Sequence, residues 1–124
     1  MTTEYVTPPK HRGLKRFWYA TQYSLKGLKA AYSKEPAFRY EVYAALVLIP
    51  MAIYLGDNLR DQTLLIASVL FVWVVELLNS GVEAVVDREG YERHELAGRA
   101  KDLGSAAVFI ALIITALIWA GILL

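Results

Sequence analysis

The sequence predicts an all-α membrane protein in which an amphipathic surface helix precedes three membrane-spanning helices. Of its 124 residues, 56% are hydrophobic and 20% are charged, and this hydrophobic share exceeds the roughly 45–50% that is usual in soluble domains. The charges are also unevenly placed, because residues 103–124 contain none. That stretch is long enough to cross a hydrocarbon core, for which about 20 residues suffice. A disordered chain is therefore excluded, and the absence of cysteine excludes disulfide bonds and thiolate chemistry.

The N-terminal part is predicted to be a flexible start over residues 1–13 and an amphipathic helix over residues 14–34. The apolar face of this helix contains Leu14, Trp18, Leu25, Leu28 and Tyr32, and the opposite face contains Lys15, Tyr19, Gln22, Lys26 and Lys29. A basic helix with aromatic residues at its border suits the surface of an anionic leaflet. The alternative is a soluble helix that packs on a partner.

Residues 35–124 are predicted to form a three-span membrane domain, with spans at about 36–55, 64–86 and 103–124. Pro36 favours a helix start, since proline is tolerated in a first helical turn, and Pro50 predicts a kink. Residues 56–63 form the first predicted connection, which begins with a turn signal. Residues 87–102 are predicted to be a charged loop.

The distribution of basic residues predicts the orientation. Residues 1–34 contain seven Lys and Arg against one acid, Glu4, whereas Arg60 is the one basic residue of the 56–63 connection. The 87–102 segment contains four basic residues, Arg88, Arg93, Arg99 and Lys101. Because basic residues collect on the cytoplasmic side, we expect a cytoplasmic N-terminus and a C-terminus outside.

The second span carries a stripe of polar residues on one helix face, formed by Glu76, Asn79, Glu83 and Asp87. Glu76 is preceded by uncharged residues over 62–75 and followed by uncharged residues over 77–82. A carboxylate at such a depth costs upward of about 2.5 kcal/mol and by default indicates function. In the predicted orientation Glu76 is the deepest member and Asp87 reaches the cytoplasmic surface.

This pattern is typical of phosphoryl transfer at a membrane interface. A carboxylate in an apolar setting suits a general base, which favours Glu76. A carboxylate nearer to the interface, such as Glu83, suits Mg²⁺, which usually takes one or two carboxylates together with phosphate oxygens. Glu35 lies at the same end of the first span, and the third span begins there with Arg99, Lys101 and Asp102, whose cations could meet phosphates. A lipid alcohol lies at this depth, and nucleotide arrives from the cytoplasm.

Structural roles are the alternatives for the same residues. Glu76 could pair with a cation across a helix interface, and Asn79 could make an interhelical hydrogen bond. Interface salt bridges could join Glu83 to Arg88 and Asp87 to Arg99. Phosphate-loop, kinase and zincin motifs are absent from the sequence.

Three motifs carry a family resemblance. They read E-L-L-N-S-G-V-E-A-V-V-D-R over residues 76–88, H-E-L-A-G-R-A-K-D over 94–102 and G-S-A-A over 104–107. From about Arg16 onward the chain resembles the small bacterial integral membrane diacylglycerol kinases, which are related to the undecaprenol kinases. One difference from the usual family pattern is Pro36, which directly follows Glu35.

The resemblance implies a homotrimer in the bacterial cytoplasmic (inner) membrane, with active sites between neighbouring subunits. Such an enzyme transfers the γ-phosphate of ATP to the hydroxyl of 1,2-diacylglycerol, with Mg²⁺, and yields phosphatidic acid. Nucleic acid is not an expected partner.

The resemblance also implies site residues. Glu76 matches the catalytic base, and Glu35 and Glu83 match the metal ligands. The nucleotide contacts are Arg16, Tyr23, Glu35, Glu83, Glu92, Arg93, His94, Lys101 and Asp102, with Asn79 and Asp87 in the polar shell beside them. The lipid contacts are Ser24, Leu25, Lys29, Ala30, Phe38, Arg39, Glu76 and Ser105.

Other functions fit the sequence as well. An undecaprenol kinase would use the same site with a polyprenol acceptor. A stripe of membrane acids also suits a non-enzymatic proton or ion pathway, and a passive trimeric scaffold would make the convergence of charges accidental.

Overall fold

The computed structural model describes residues 12–88 and 95–124, which form four α-helices and no strand. They are α1 (Leu14–Lys34), α2 (Pro36–Leu55), α3 (Leu59–Arg88) and α4 (Glu95–Leu123). The predicted all-α class is thereby confirmed. The chain divides into two compact units, Met1–Ala30 and Ala31–Leu124.

The first unit contains most of α1. Its side chains are largely exposed, including Leu14, Trp18 and Leu25 on the predicted apolar face. The hydroxyl of Ser24 donates to the carbonyl of Ala20 at 2.9 Å, within the helix itself. The helix has the bounds of the predicted one, and its place on a membrane surface stays a prediction. Most of the predicted flexible start, residues 1–13, lies outside the described residues.

The second unit contains α2, α3 and α4, and each is long and apolar enough to cross a membrane. The first of them begins at the predicted position, with Pro36 in its first turn and Glu35 in an extended conformation before it. A residue before proline is driven toward this conformation by the proline ring. Pro50 lies inside α2.

The connection between α2 and α3 is shorter than predicted, since α3 already begins at Leu59 and leaves only residues 56–58 between the helices. Asn58 caps α3, because its Oδ1 accepts a hydrogen bond from the backbone N–H of Asp61 at 2.9 Å. Gln62 then reaches back across the turn. Its Nε2 donates to the carbonyls of Ile53 and Gly56 at 3.0 and 3.3 Å, where α2 has no further backbone donors.

The predicted 87–102 loop is also wrong at both ends, because α3 continues to Arg88 and α4 starts at Glu95. The start of α4 contains Glu95, Leu96, Ala97, Arg99, Ala100 and Lys101, which are mostly strong helix formers. Water can solvate such polar residues on a helix just as it does in a loop. A charged composition therefore marks where hydrocarbon ends, and the helix continues beyond that point.

The centre of this unit is α3, which packs against both α2 and α4. Large buried side chains come from α2 and α3, as Phe38 and Leu65 show. Alanine fills the remaining contact positions, with Ala45 and Ala52 on α2 and Ala111 on α4. Small residues let helix backbones approach closely, which is how helices associate in lipid. The polar stripe of α3 is therefore placed next to both of its neighbours.

Candidate active site

Glu76 is a buried carboxylate on the central helix. Only 6% of the surface of Glu76 is exposed. Among the residues that the structure describes, ion pairs join Arg99 to Glu95 and Lys101 to Asp87, and none involves Glu76. Its electrostatic neighbours are instead three other carboxylates, those of Glu41, Glu83 and Glu35. A structural ion pair thus does not explain this buried acid.

Glu41 is the neighbour that sequence reasoning missed. It is half-buried on α2, and its backbone carbonyl accepts a hydrogen bond from Trp73 Nε1 at 3.1 Å. The same indole packs edge-on against Phe38, with ring centroids 5.3 Å apart. Trp73 is one turn before Glu76 on α3, so this contact brings Glu41 alongside Glu76. The available signal was the acid itself, in a predicted span whose charged residues are Arg39 and Glu41.

The side-chain amide of Asn79 points toward Glu83, which lies on the same helix. Its Nδ2 donates to Glu83 Oε1 over 3.4 Å, and both residues are half-buried. Its other amide atom, Oδ1, is buried and has no hydrogen-bond partner in the described chain. The structure therefore shows Asn79 bonded to an acid of the polar stripe, where the structural alternative expected a bond to another helix.

The other end of the stripe connects α3 to α4. Asp87 Oδ1 lies 2.7 Å from Lys101 Nζ, and both side chains are largely exposed. Glu83 also acts electrostatically on Lys101. Arg99, which was the alternative partner of Asp87, pairs with Glu95 at 3.4 Å. Lys101 thus lies beside the acidic stripe.

Glu35 occupies the junction between α1 and α2, where neighbouring groups hold the backbone. Arg39 donates from Nε to the carbonyl of Tyr32 and from a terminal nitrogen to the carbonyl of Ser33, both at 3.0 Å. These carbonyls belong to the last turn of α1, where a cation is favourable. The hydroxyls of Tyr32 and Tyr43 are 3.0 Å apart and tie the same turn to α2.

The remaining predicted contacts fall into separate groups. Arg16, Tyr23, Ser24, Leu25, Lys29 and Ala30 lie in the first unit, whereas Glu92, Arg93 and His94 lie outside the described residues. Asp102 and Ser105 are exposed on α4. Phe38 is only 2% exposed and packs against Trp73, and its lipid contact stays a prediction.

The donor set is compatible with a metal that arrives with phosphate. Within residues 12–88 and 95–124, no group of three or more His, Asp or Glu could hold a metal ion by itself. Mg²⁺ seldom needs such a cage, since it takes one or two carboxylates with water and phosphate oxygens. Glu35 and Glu83 are half-buried, and both are within electrostatic range of Glu76. Two carboxylates of this kind fit Mg²⁺ bound to a nucleotide.

Three helices that are long and apolar enough to cross a membrane, with a buried acid among further acids, are typical of a functional site in a membrane protein. Comparison with known proteins specifies the family. The family model described as prokaryotic diacylglycerol kinase matches residues 22–123. The chain therefore belongs to the prokaryotic diacylglycerol kinase family, is a lipid kinase that acts on diacylglycerol, and is a bacterial membrane protein.

Individual relatives agree with this membership over most of their length. The diacylglycerol kinase of Haemophilus influenzae is 55% identical over 114 residues, which cover 92% of this chain and 97% of the relative. The Escherichia coli K12 enzyme is 51% identical over 107 residues, covering 86% of this chain and 88% of its own. The Pseudomonas aeruginosa enzyme is 51% identical over 112 residues, covering 90% and 91%.

Proposed function

We propose that this protein transfers the γ-phosphoryl group of ATP to the hydroxyl of 1,2-diacylglycerol, with Mg²⁺, and that Glu76 is the general base. The observation that carries the proposal is the burial of Glu76, at 6% exposure, among carboxylates and without a cationic partner in the described residues. A structural carboxylate in a membrane would be paired. A carboxylate kept in this environment is suited to accept a proton.

The proposed reaction is a single displacement. The Glu76 carboxylate accepts the hydroxyl proton of the lipid while the hydroxyl oxygen forms a bond to the γ-phosphorus. The bond from that phosphorus to the β–γ bridging oxygen breaks, and ADP leaves with the bonding electrons. Phosphoryl transfer of this kind requires mainly positioning and charge stabilisation from the protein.

The charges needed for ATP are divided among the helices. Glu35 and Glu83 would hold Mg²⁺, which neutralises phosphate charge when it is bound. Lys101 stands at the polar end of α4 and is held by Asp87 at 2.7 Å, which favours a phosphate contact by this lysine. The family resemblance implies further nucleotide contacts at Asp102, Arg16, Tyr23 and 92–94.

The proposed acceptor site is the polar end of the lipid-facing surface. The lipid contacts that the family resemblance implies are Ser24, Leu25, Lys29, Ala30, Phe38, Arg39, Glu76 and Ser105. We further propose the homotrimer and the inner-membrane location that family membership implies, with a cytoplasmic N-terminus. Basic residues within 1–34 and 87–102 support this orientation.

The experiment is lipid-dependent ATP turnover in mixed micelles, with wild type beside Glu76→Gln. The variant keeps the size of the side chain and removes its basicity, so formation of phosphatidic acid should fall by about 10²–10⁴-fold. Glu95→Gln is the matched control, because Glu95 is an exposed acid that pairs only with Arg99 on its own helix in the described residues. Near-normal turnover in Glu76→Gln would show that Glu76 is not the base.

The same assay with two acceptors distinguishes the alternatives. Diacylglycerol should be phosphorylated in preference to undecaprenol, as the names of the relatives suggest. A preference for undecaprenol would make this chain a polyprenol kinase. Ion flux in liposomes without added acceptor lipid, together with absent turnover, would favour the proton or ion pathway.

A further inference from the structure

Gly104 on α4 stands directly against the Asn79 side chain on α3. A Cβ atom built on Gly104 would overlap Asn79 Oδ1, and it would lie 3.1 Å from Asn79 Cγ and 3.8 Å from Asn79 Cβ. Every other residue type carries a Cβ. The present position of the Asn79 amide therefore requires glycine at residue 104.

The chemistry of Glu83 explains why the amide takes this position. A metal-binding carboxylate is ionised and only accepts hydrogen bonds, so Asn79 must present its NH₂ group to it. The observed bond runs from Asn79 Nδ2 to Glu83 Oε1 over 3.4 Å. The carbonyl oxygen then points away from Glu83, into the space over Gly104. This oxygen is buried without a hydrogen-bond partner in the described chain, and it occupies the space that a Cβ atom at residue 104 would take.

A methyl group at residue 104 requires the Asn79 amide to move from its present position. Turning the amide over would place Nδ2 in the space that Oδ1 now fills, and the overlap would remain. The 3.1 Å approach to Cγ also means that rotation about the Cβ–Cγ bond alone leaves a tight contact. The Asn79 side chain must therefore shift, and we expect the shift to break its bond to Glu83, which is already long at 3.4 Å.

We propose that Gly104 is a positioning residue for the metal site, because it leaves the space that lets Asn79 orient the Glu83 carboxylate. This inference rests on the proposed function, in which Glu83 binds Mg²⁺. Hydrogen-bond partners of metal ligands fix the ligand's orientation, and their loss costs about 10–100-fold in metal affinity or activity. The role proposed for Gly104 is indirect, since the side chain that it contacts is that of Asn79.

The test is the substitution Gly104→Ala in the purified full-length protein. Binding of Mn²⁺ in the presence of ATP is followed by electron paramagnetic resonance, and the Mg²⁺ dependence of diacylglycerol phosphorylation is measured in parallel. We expect Gly104→Ala to raise the metal concentration at half-saturation by about 10–100-fold. Gly121→Ala is the matched control, because a Cβ at this other glycine of α4 meets nothing within 4 Å, and it should bind metal as the wild type does.

A double-mutant cycle then tests whether Gly104 acts on metal binding through Asn79. Asn79→Ala alone should weaken Mn²⁺ binding as much as Gly104→Ala does, and the double variant should be no weaker than Asn79→Ala. Additive losses would overturn the inference, since they would show that Gly104 acts without Asn79.

A fourth variant separates this inference from the proposed function. Glu83→Gln should lose Mn²⁺ binding. If Glu83→Gln loses binding while Gly104→Ala matches Gly121→Ala, the positioning role of Gly104 is wrong and the metal site stands. If Glu83→Gln binds Mn²⁺ like the wild type, the proposed metal role of Glu83 is wrong.

Discussion

Two stretches of α3 treat buried polar groups in opposite ways. Around Ser68 every polar side chain has a partner. The hydroxyl of Ser68 donates to the carbonyl of Leu65 at 2.7 Å and accepts from Trp119 Nε1 at 3.0 Å. Thr115 Oγ1 donates to the carbonyls of Ser68 and Ala111. Two turns further along, Glu76 has acids as its neighbours and no ion-pair partner in the part of the chain that the structure describes.

The difference separates stability from function. Burying a polar group is costly unless a hydrogen bond compensates, and the Ser68 cluster meets this condition while it joins α3 to α4. No ion pair compensates the burial of Glu76 in the described residues, and the neighbouring acids repel it. Residues kept in a cluster that lowers stability are expected at a functional site.

The largest effect is expected at Glu76, where a substitution should lower activity and leave the stability of the fold unchanged or higher. Glu76→Gln should lower turnover by about 10²–10⁴-fold, while its thermal unfolding midpoint in detergent should equal or exceed that of the wild type, because one of several like charges is removed. Circular dichroism during heating measures the midpoint. A marked fall in the midpoint would mean that Glu76 stabilises the fold, and the contrast between the two stretches would fail.

The reverse effect is expected at Ser68. Ser68→Ala leaves the indole N–H of Trp119 without its acceptor, and an unsatisfied buried donor costs about 1–3 kcal/mol. The unfolding midpoint should fall, and turnover per folded molecule should stay at the wild-type level. Unfolding by added denaturing detergent gives the free energy, and a loss of turnover at unchanged stability would contradict the structural role of this cluster.

A smaller effect is expected at Thr115 in the same cluster. Thr115→Val preserves shape and removes a hydroxyl whose acceptors are the carbonyls of Ser68 and Ala111. Both carbonyls lie within helices and keep their backbone partners, so the loss should stay near 1 kcal/mol or below. The same unfolding experiment as for Ser68→Ala measures it. A loss larger than that of Ser68→Ala would show that Trp119 is not the main tie between the two helices.

The smallest effect on stability is expected at the exposed pair of Lys101 and Asp87. Lys101→Gln breaks the 2.7 Å contact, yet exposed pairs contribute only about 0–1 kcal/mol. The KM for ATP should nevertheless rise, since the proposed phosphate contact is lost, while the KM for diacylglycerol stays constant. Steady-state kinetics with each substrate varied in turn measures both constants, and an unchanged KM for ATP would remove Lys101 from the nucleotide site.

Helix content and the polar stripe could be predicted because both depend on local sequence. A run of apolar residues and the cost of a charge in hydrocarbon need no knowledge of neighbours, and Glu76 stands out on these grounds alone. Helix ends were less predictable, as at Leu59 and Glu95, because charge marks the edge of the hydrocarbon and a helix can continue into water.

Contacts between helices could not be predicted from these patterns. From the sequence, Arg99 was a possible partner for Asp87. In the structure the partner is Lys101, two residues further along α4. In the sequence, Glu41 is an acid near the start of a span and nothing links it to Glu76. In the structure, the contact of Trp73 with Glu41 places Glu41 near Glu76. Each pairing depends on the rotation and register of two helices, which side-chain packing along their whole length determines.

By itself, then, the sequence determined an all-α chain with three membrane-spanning helices and an acidic stripe on the second, since hydrophobicity and helical period are properties of one segment. The tertiary structure alone decided which acids surround Glu76 and that Gly104 meets Asn79. The physical reason is close packing. Two helices approach to the distance that their smallest contact residues permit, and only at that distance does the presence or absence of one Cβ atom decide where an amide group points.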